Sequence, residues 1–481
     1  MQPRHFTAAL AVLLAACASG PDYQRPAVDL PPAYTAAPAA PVAANTDLLD
    51  TAWWSAFGDP RLDELVAAVV ANNPDLRIAA LRVQQHDAYL QVSKSAAGPQ
   101  AGFAGSRLRN TLSENRQVPL APGTRPVDND YSISVAASWE LDLWGKVSRA
   151  NEAAYAELVG SEETRRALMQ SLISDVANGY LRLLALDRLL ELQKAAIETQ
   201  KEQVALAERK FKGGGASELP VFRARAQLEA LVAELPAREG EIAAQESALN
   251  ALMGRLPGPV ARGRRFDELQ LPAVPGGLPA GLLAQRPDVR KAEQDLIAAN
   301  AKIGVAKSEY LPTISLTTSS GFASNDLSKL LQLTSNFGSF GAALLGPLFT
   351  SGRISGQVRE AEAVRAQAEV AFLNSVQVAL REVEDALTGL AKSGQRIALQ
   401  ERRLATLREQ RKVAQKLFEG GGSAYFEVLD AERQLNDALQ QVSQQRREQL
   451  AALVSVYKAM GGGWSLAELK PTRPATLEES R

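Results

Sequence analysis

The chain has 481 residues, 53 basic and 54 acidic side chains and a formal net charge of −1, so nothing draws it to a polyanion such as nucleic acid. Aromatic residues make up only 6%, and Ala, Leu, Gln, Glu and Arg dominate, which is the composition of long helices. One cysteine cannot form an intrachain disulfide, and two histidines, His5 and His86, are too few for a His/Cys metal cluster or for the usual nucleophile sets.

Residues 1–16 read as a signal peptide: Arg4 precedes an apolar run, Phe6–Ala16, that is too short to span a bilayer. Leu14-Ala15-Ala16-Cys17 then reads as a bacterial lipobox. Cys17 is expected to become the mature N-terminus and to carry diacylglycerol and N-acyl chains; no other cofactor is expected. Ala18-Ser19 follows without an Asp, which favours the outer membrane. Residues 17–46 are Pro/Ala-rich and read as a lipidated, extended arm without a core. Beyond Cys17 there is no run of eighteen apolar residues, so a membrane crossing would need strands.

Residues 47–100 start the folded part at Trp53-Trp54 and hold the first helices, Leu62–Val70 and Pro74–Lys94. Residues 101–143 read as a β-hairpin. Tyr131, Ile133, Val135, Ala137, Trp139, Leu141 and Leu143 alternate with Ser132, Ser134, Ala136, Ser138, Glu140 and Asp142. One face is apolar and the other carries hydroxyls and carboxylates, the pattern of a lipid-facing and lumen-facing wall. Ala101–Leu112 is the expected partner strand, with a polar external loop between them. Residues 144–254 read as a long helical hairpin and 255–285 as a Pro/Gly-rich linker.

The chain then repeats itself. Pro74–Pro99 matches Pro287–Pro312 at nine of 26 positions, and Phe211–Leu228 matches Phe418–Leu435 at eight of 18. Two copies of one long unit imply a pseudo-symmetric architecture. Residues 286–312 are the second copy's first helix. Residues 313–349 are its hairpin, with strands at Thr313–Ala323 and Phe337–Phe349. Residues 350–464 are its helical hairpin and 465–481 a polar tail. Leu373, Val376, Leu380, Val383, Leu387 and Leu390 form a heptad seam. Roughly seventy helical residues at ~1.5 Å each give about 100 Å, more than a bilayer holds. Each long helix stops at a glycine triplet, Gly213, Gly214 and Gly215 or Gly420, Gly421 and Gly422, suited to a reversal into an antiparallel mate. Four strands per chain cannot close in lipid, so several subunits are needed; three chains would supply twelve strands.

Four motifs, Gly20-Pro21-Asp22-Tyr23, Trp139–Lys146, Gly346–Arg353 and Ala459–Trp464, resemble the outer membrane factor family, the TolC/OprM-like exit ducts, and among them the NodT-type lipoproteins. The resemblance covers essentially the whole mature chain. It implies a mostly α fold with a trimeric 12-strand membrane β-barrel continued by an α-helical coiled-coil periplasmic tunnel, and an equatorial belt from residues 47–100 and 255–285. It implies a homotrimer in outer-membrane lipid, a periplasmic membrane-fusion adaptor and an inner-membrane pump, commonly of the resistance-nodulation-division class. The expected function is passive exit of drugs or other small toxic compounds, without enzymatic chemistry. The same scaffold serves type I protein secretion. A third reading, a lipid-anchored coiled-coil spacer without a pore, leaves the Tyr131–Leu143 alternation unexplained.

Glu427 and Asp430 lie one helical turn apart, just past the second triplet. By spacing alone they are an ordinary solvated pair; the resemblance implies that they are acidic pore-constriction residues, stacked rings in a trimer. The repeat sets Pro220 and Arg223 opposite them, a departure from relatives that carry an acid at the first position. Arg223 is expected to pair with Asp430 or Glu427 and latch adjacent coiled coils. The glycine tips are the expected adaptor-docking surface. Ser132, Ser134, Ser138, Glu140 and Asp142 are expected in the lumen. Trp144-Gly145-Lys146 lacks the earlier glycine of a phosphate loop and reads as a corner after a strand.

Overall fold

The computed structural model describes residues 19–35, 52–113, 127–215, 217–272, 281 and 285–462. The expected signal peptide, Cys17, part of the expected arm and the expected C-terminal tail lie outside them. Among the described residues no helix is long and apolar enough to cross a membrane.

The order of elements is α1 (Pro60–Asn72), α2 (Pro74–Ser95), β1 (Gln100–Thr111), β2 (Val127–Leu141), α3 (Lys146–Lys212), α4 (Leu219–Ala233) and α5 (Leu235–Leu252). After these come α6 (Pro287–Ser308), β3 (Thr313–Ser324), β4 (Asn336–Leu345), α7 (Arg353–Glu419) and α8 (Tyr425–Ala459). The repeat is visible in the lengths. Helices α2 and α6 each have 22 residues, β1 and β3 each 12, and α3 and α7 each 67. The difference in spacing between the copies arises beyond these elements, in the segments 112–126 and 325–335 and in the second strand of each hairpin with its exit.

The chain divides into two compact units. The first, Met1–Ala27, Arg82–Ser161 and Ala292–Phe372, holds the sheet. Its strands run β1-β2-β3-β4, each antiparallel to the next. Paired residues share a face, and the register separates most large apolar side chains from most hydroxyls, although Thr318 and Ser320 fall on the apolar face and Phe337 on the polar one. Phe103, Val135, Ile133, Phe322, Trp139, Leu316 and Phe340 stand on one face; Ser106, Ser132, Ser134, Ser138, Thr317, Ser319 and Ser339 stand on the other. On the polar face Ser106 and Ser132 hydroxyls meet at 2.8 Å, as do Ser319 and Ser339. Strand β2 begins four residues earlier than its alternation suggested and ends at Leu141. Strand β4 ends at Leu345, short of the expected Phe349, because Pro347 has no N–H to continue a ladder.

Below the sheet, alanines set the helix spacing: Ala153 and Ala156 of α3 pack on Ala298 and Ala301 of α6. The arm is extended here but tied down, unlike the coreless arm expected. Pro21 accepts from Asn300 Nδ2 at 2.8 Å, Asp22 pairs with Arg149 at 2.6 Å, and Tyr23 donates to Glu293 at 3.1 Å. A Cβ on Gly20 would sit 2.5 Å from the Gly304 Cα, so the backbones touch where glycine faces glycine.

The second unit, Val28–Leu81, Glu162–Lys291 and Leu373–Arg481, holds the helical hairpins. Trp53 stacks on Tyr457 with ring centroids 5.1 Å apart. Asp59 caps α1 through Arg61 N and also accepts from the Tyr180 hydroxyl (2.8 Å) and Arg264 N (3.0 Å). The expected linker, as far as residue 272, is therefore packed onto a core. Phe266 is buried, Arg262 pairs with Asp187 at 2.8 Å, and a Cβ on Gly263 would collide with Asp59 Oδ1. Two further corrections concern helices. The first return helix is broken at Glu234 into α4 and α5, with a proline in the first turn of each. The buried line of α7 runs Phe372, Val376, Ala379, Val383 and Leu387, one residue to the side of the expected seam at Leu373 and Leu380.

Candidate functional site

The two glycine triplets close their helices in the same way. Gly214 takes φ 72°, with Gly215 N bonded to Lys210 O and Gly214 N to Phe211 O, both at 3.0 Å. Gly421 takes φ 75°, with Gly422 N bonded to Leu417 O at 2.7 Å and Gly421 N to Phe418 O at 3.2 Å. This is the Schellman closure, in which a left-handed residue lets two trailing N–H groups satisfy orphan carbonyls. A Cβ on Gly214 or Gly421 would meet nothing within 4 Å, so the tips are bare as well as tightly turned.

Behind the tips the two hairpins share one small core. Ala207, Val221 and Ala224 of the first pack with Ala414, Val428 and Ala431 of the second, joined by Tyr425. These are three pairs of repeat-equivalent residues, so the pseudo-symmetry read in the sequence is a physical contact here. Lys210 Nζ lies 3.5 Å from the centroid of the Phe418 ring, and Phe418 packs at 5.1 Å on Tyr425. Burial pushes the Tyr425 hydroxyl up to about 12. One turn further in, Arg411 Nε bonds to buried Glu432 at 2.6 Å and ties α7 to α8.

Glu427 is exposed in the first turn of α8. Asp430, a turn later, accepts from Arg433 at 2.8 Å and Gln434 at 2.5 Å. The Arg433 guanidinium holds the Asp430 carboxyl below the usual aspartate range. Within the chain Arg223 is not the partner of Asp430; its guanidinium lies 6.0 Å from the centroid of the Phe426 ring.

At the base of the sheet, Asp142 is not a wall residue. It lies past the end of β2 and accepts from Val147 N (3.0 Å) and Ser148 N (2.8 Å), capping α3. Trp144-Gly145-Lys146 forms the corner. Gly145 has φ 76°, Trp144 Nε1 donates to Pro312 O at 2.6 Å, and Lys146 pairs with Glu309 at 2.6 Å.

The chain matches the profile described as "Outer membrane efflux protein" over residues 65–255 and 278–462. It belongs to that family. It is 32% identical over 462 residues to the solvent efflux pump outer membrane protein SrpC of Pseudomonas putida, covering 95% of this chain and 97% of the relative. It is 30% identical over 454 residues to the probable outer membrane lipoprotein SilC of Salmonella typhimurium, covering 94% and 97%. The crystal structure of CusC, a protein described as forming a transmembrane channel, superposes with a TM-score of 0.83 at 31% identity, over 93% of this chain and 100% of that one.

This efflux protein thus gathers Gly213–Gly215, Gly420–Gly422, Arg223, Glu427 and Asp430 at one end of its helical unit, as the repeat suggested. The sequence reading missed Arg433 and Gln434, although their positions three and four residues after Asp430 are the ones that face it on a helix. It also missed Phe426 as the surface under Arg223. Cys17, the expected lipid-attachment residue, lies outside the described residues.

Proposed function

We propose that this outer membrane efflux protein works as a homotrimeric exit duct that receives small toxic compounds from an inner-membrane pump through a periplasmic adaptor. The observation that carries this reading is the sheet. It has four strands, two unpaired edges at β1 and β4, and one apolar face. An open edge in hydrocarbon leaves several backbone groups unsatisfied at several kcal/mol each, roughly, so the sheet must close with other copies. Three copies give twelve strands around a lumen lined by serine, threonine and Glu140. The relatives' solvent efflux role supports small organic cargo here. The tips dock the adaptor because they carry no side chains at their outermost turn. Glu427 and Asp430, repeated by threefold symmetry, form the acidic constriction, and Arg223 contributes to the closed state through its neighbours.

The test is single-channel conductance in a planar bilayer, comparing wild type with the Glu427→Ala/Asp430→Ala variant. Small cation-selective steps that enlarge or lose cation preference in the variant are the expected result. Equal conductance would place the constriction elsewhere; no conductance from folded trimer would overturn the duct.

A further inference from the structure

Several arginines in the helical unit are closed by carboxylates at bonding distance. Arg286 is held by Asp288 and Glu382 at 2.6 Å, Arg262 by Asp187 at 2.8 Å, and Arg411 by Glu432 at 2.6 Å. Between α3, α5 and α8 lies a groove with two adjoining cavities of about 290 and 270 Å³, sharing Arg182 and Arg447 in their walls. Arg238 lines the first cavity as well. The nearest carboxylate contacts are Glu241 to Arg238 at 3.8 Å and Glu448 to Arg447 at 3.9 Å, both too long for hydrogen bonds. Arg182 makes no ion pair among the described residues. Three arginines therefore line one opening whose walls supply a single carboxylate, Glu241, and of their donors Arg238 Nε is shared with Gln193 Oε1 at 3.4 Å.

A second observation points the same way. Asn178 lines the second cavity, and its Oδ1 is buried without a hydrogen-bond partner. A buried acceptor without a partner is unfavourable, so this position favours an incoming donor. Gln245, on the same wall, is already committed to Gly179 O at 3.1 Å. The groove thus presents surplus planar donors beside one vacant acceptor.

We propose that this groove binds a carboxylate with an adjacent N–H donor, the chemistry of the C-terminal end of a peptide. Arg182 and Arg447 take the carboxylate in charge-assisted, fork-shaped hydrogen bonds, and Asn178 Oδ1 accepts the peptide N–H. Arg238 adds positive potential from the first cavity. The volumes suit a small terminal group, at the low end of ligand pockets. This site is separate from the tips and does not depend on the gating role of Glu427 and Asp430. Such an end could belong to a soluble peptide or to peptides fixed in the cell wall.

The experiment uses the purified full-length protein in detergent, titrated calorimetrically with D-alanyl-D-alanine and with its C-terminal amide. The acid is expected to bind, and the amide at least about tenfold more weakly, as expected for loss of a charge-assisted hydrogen bond. Arg182→Gln/Arg447→Gln should weaken the acid to a similar extent while retaining wild-type size and helicity. Should that variant misfold, the near-isosteric Asn178→Asp sets a negative charge beside the carboxylate and should abolish binding alone. No binding by wild type, equal binding of acid and amide, or wild-type affinity in the folded variants would overturn the proposal. Dissociation of the oligomer by the arginine changes would also overturn it, since the groove would then be an interface between copies. Co-sedimentation with isolated cell-wall sacculi, competed by the dipeptide, would identify wall-fixed ends; binding without co-sedimentation would identify soluble peptides.

Discussion

Gly421 and Asp430 show how differently two tip residues are constrained. At Gly421 only the backbone decides, because φ is 75° and the space around a Cβ is empty. Gly421→Ala should therefore cost about 1–2 kcal/mol, the left-handed penalty of an L-residue, with no steric addition. Thermal melting should show this loss, and Gly421→Asn should recover part of it. At Asp430 the surroundings decide. Arg433 lowers its folded-state pKa, so the carboxylate stays ionised through the pH range in which a free aspartate would take up protons. The stabilising contact is complete above the ordinary value and is lost only as pH falls through the lower folded one. Cation preference that depends on Asp430 should accordingly persist at about pH 5 and decline only below roughly pH 4, measured by reversal potential. Arg433→Gln should move that decline upward.

At the scale of elements, the junction of the two hairpins rests on small residues. Ala224 and Ala431 are repeat-equivalent and almost fully buried, 0% and 1% exposed. A larger side chain at either would overpack the contact at about 1–3 kcal/mol and push the hairpins apart near the proposed constriction. Ala431→Leu is expected to lower the melting temperature and to raise single-channel conductance. Lower stability with unchanged conductance would separate this contact from gating. The sheet has the opposite character. Its core is not inside the chain at all: Phe103 is 87% exposed and Phe340 78%. Such faces need lipid or another copy to cover them.

For the whole molecule, the open edges carry the strongest prediction. If β4 of one copy pairs with β1 of the next, cysteines placed singly on β1 and β4 should join subunits. A panel pairing Gly102→Cys or Ala104→Cys with Gly341→Cys or Ala343→Cys should contain members that oxidise to a covalently closed trimer on denaturing gels. The single-cysteine proteins should run as monomers. Ladders that continue beyond three would point to a different closure.

The amino-acid order alone determined the copy number of the internal repeat, the four strands, the two glycine reversals and the family. Each depends on local signals: period two, period 3.6, a glycine where φ must be positive, and matched spacing between copies. Only the tertiary structure decided the rest. It moved the buried line of α7 onto Ala379, turned Asp142 from a wall residue into a helix cap, and gave Asp430 to Arg433 while Arg223 lies beside Phe426. It also tied the apparently loose arm and linker to the units they cross. The reason is physical. A periodic pattern says which way side chains point along one element, but burial of an alanine, the partner of a charge or the anchoring of a proline-rich segment depends on neighbours distant in sequence. The arginine groove belongs to this second kind, because Arg182, Arg238 and Arg447 are separate in the chain and meet only when α3, α5 and α8 pack.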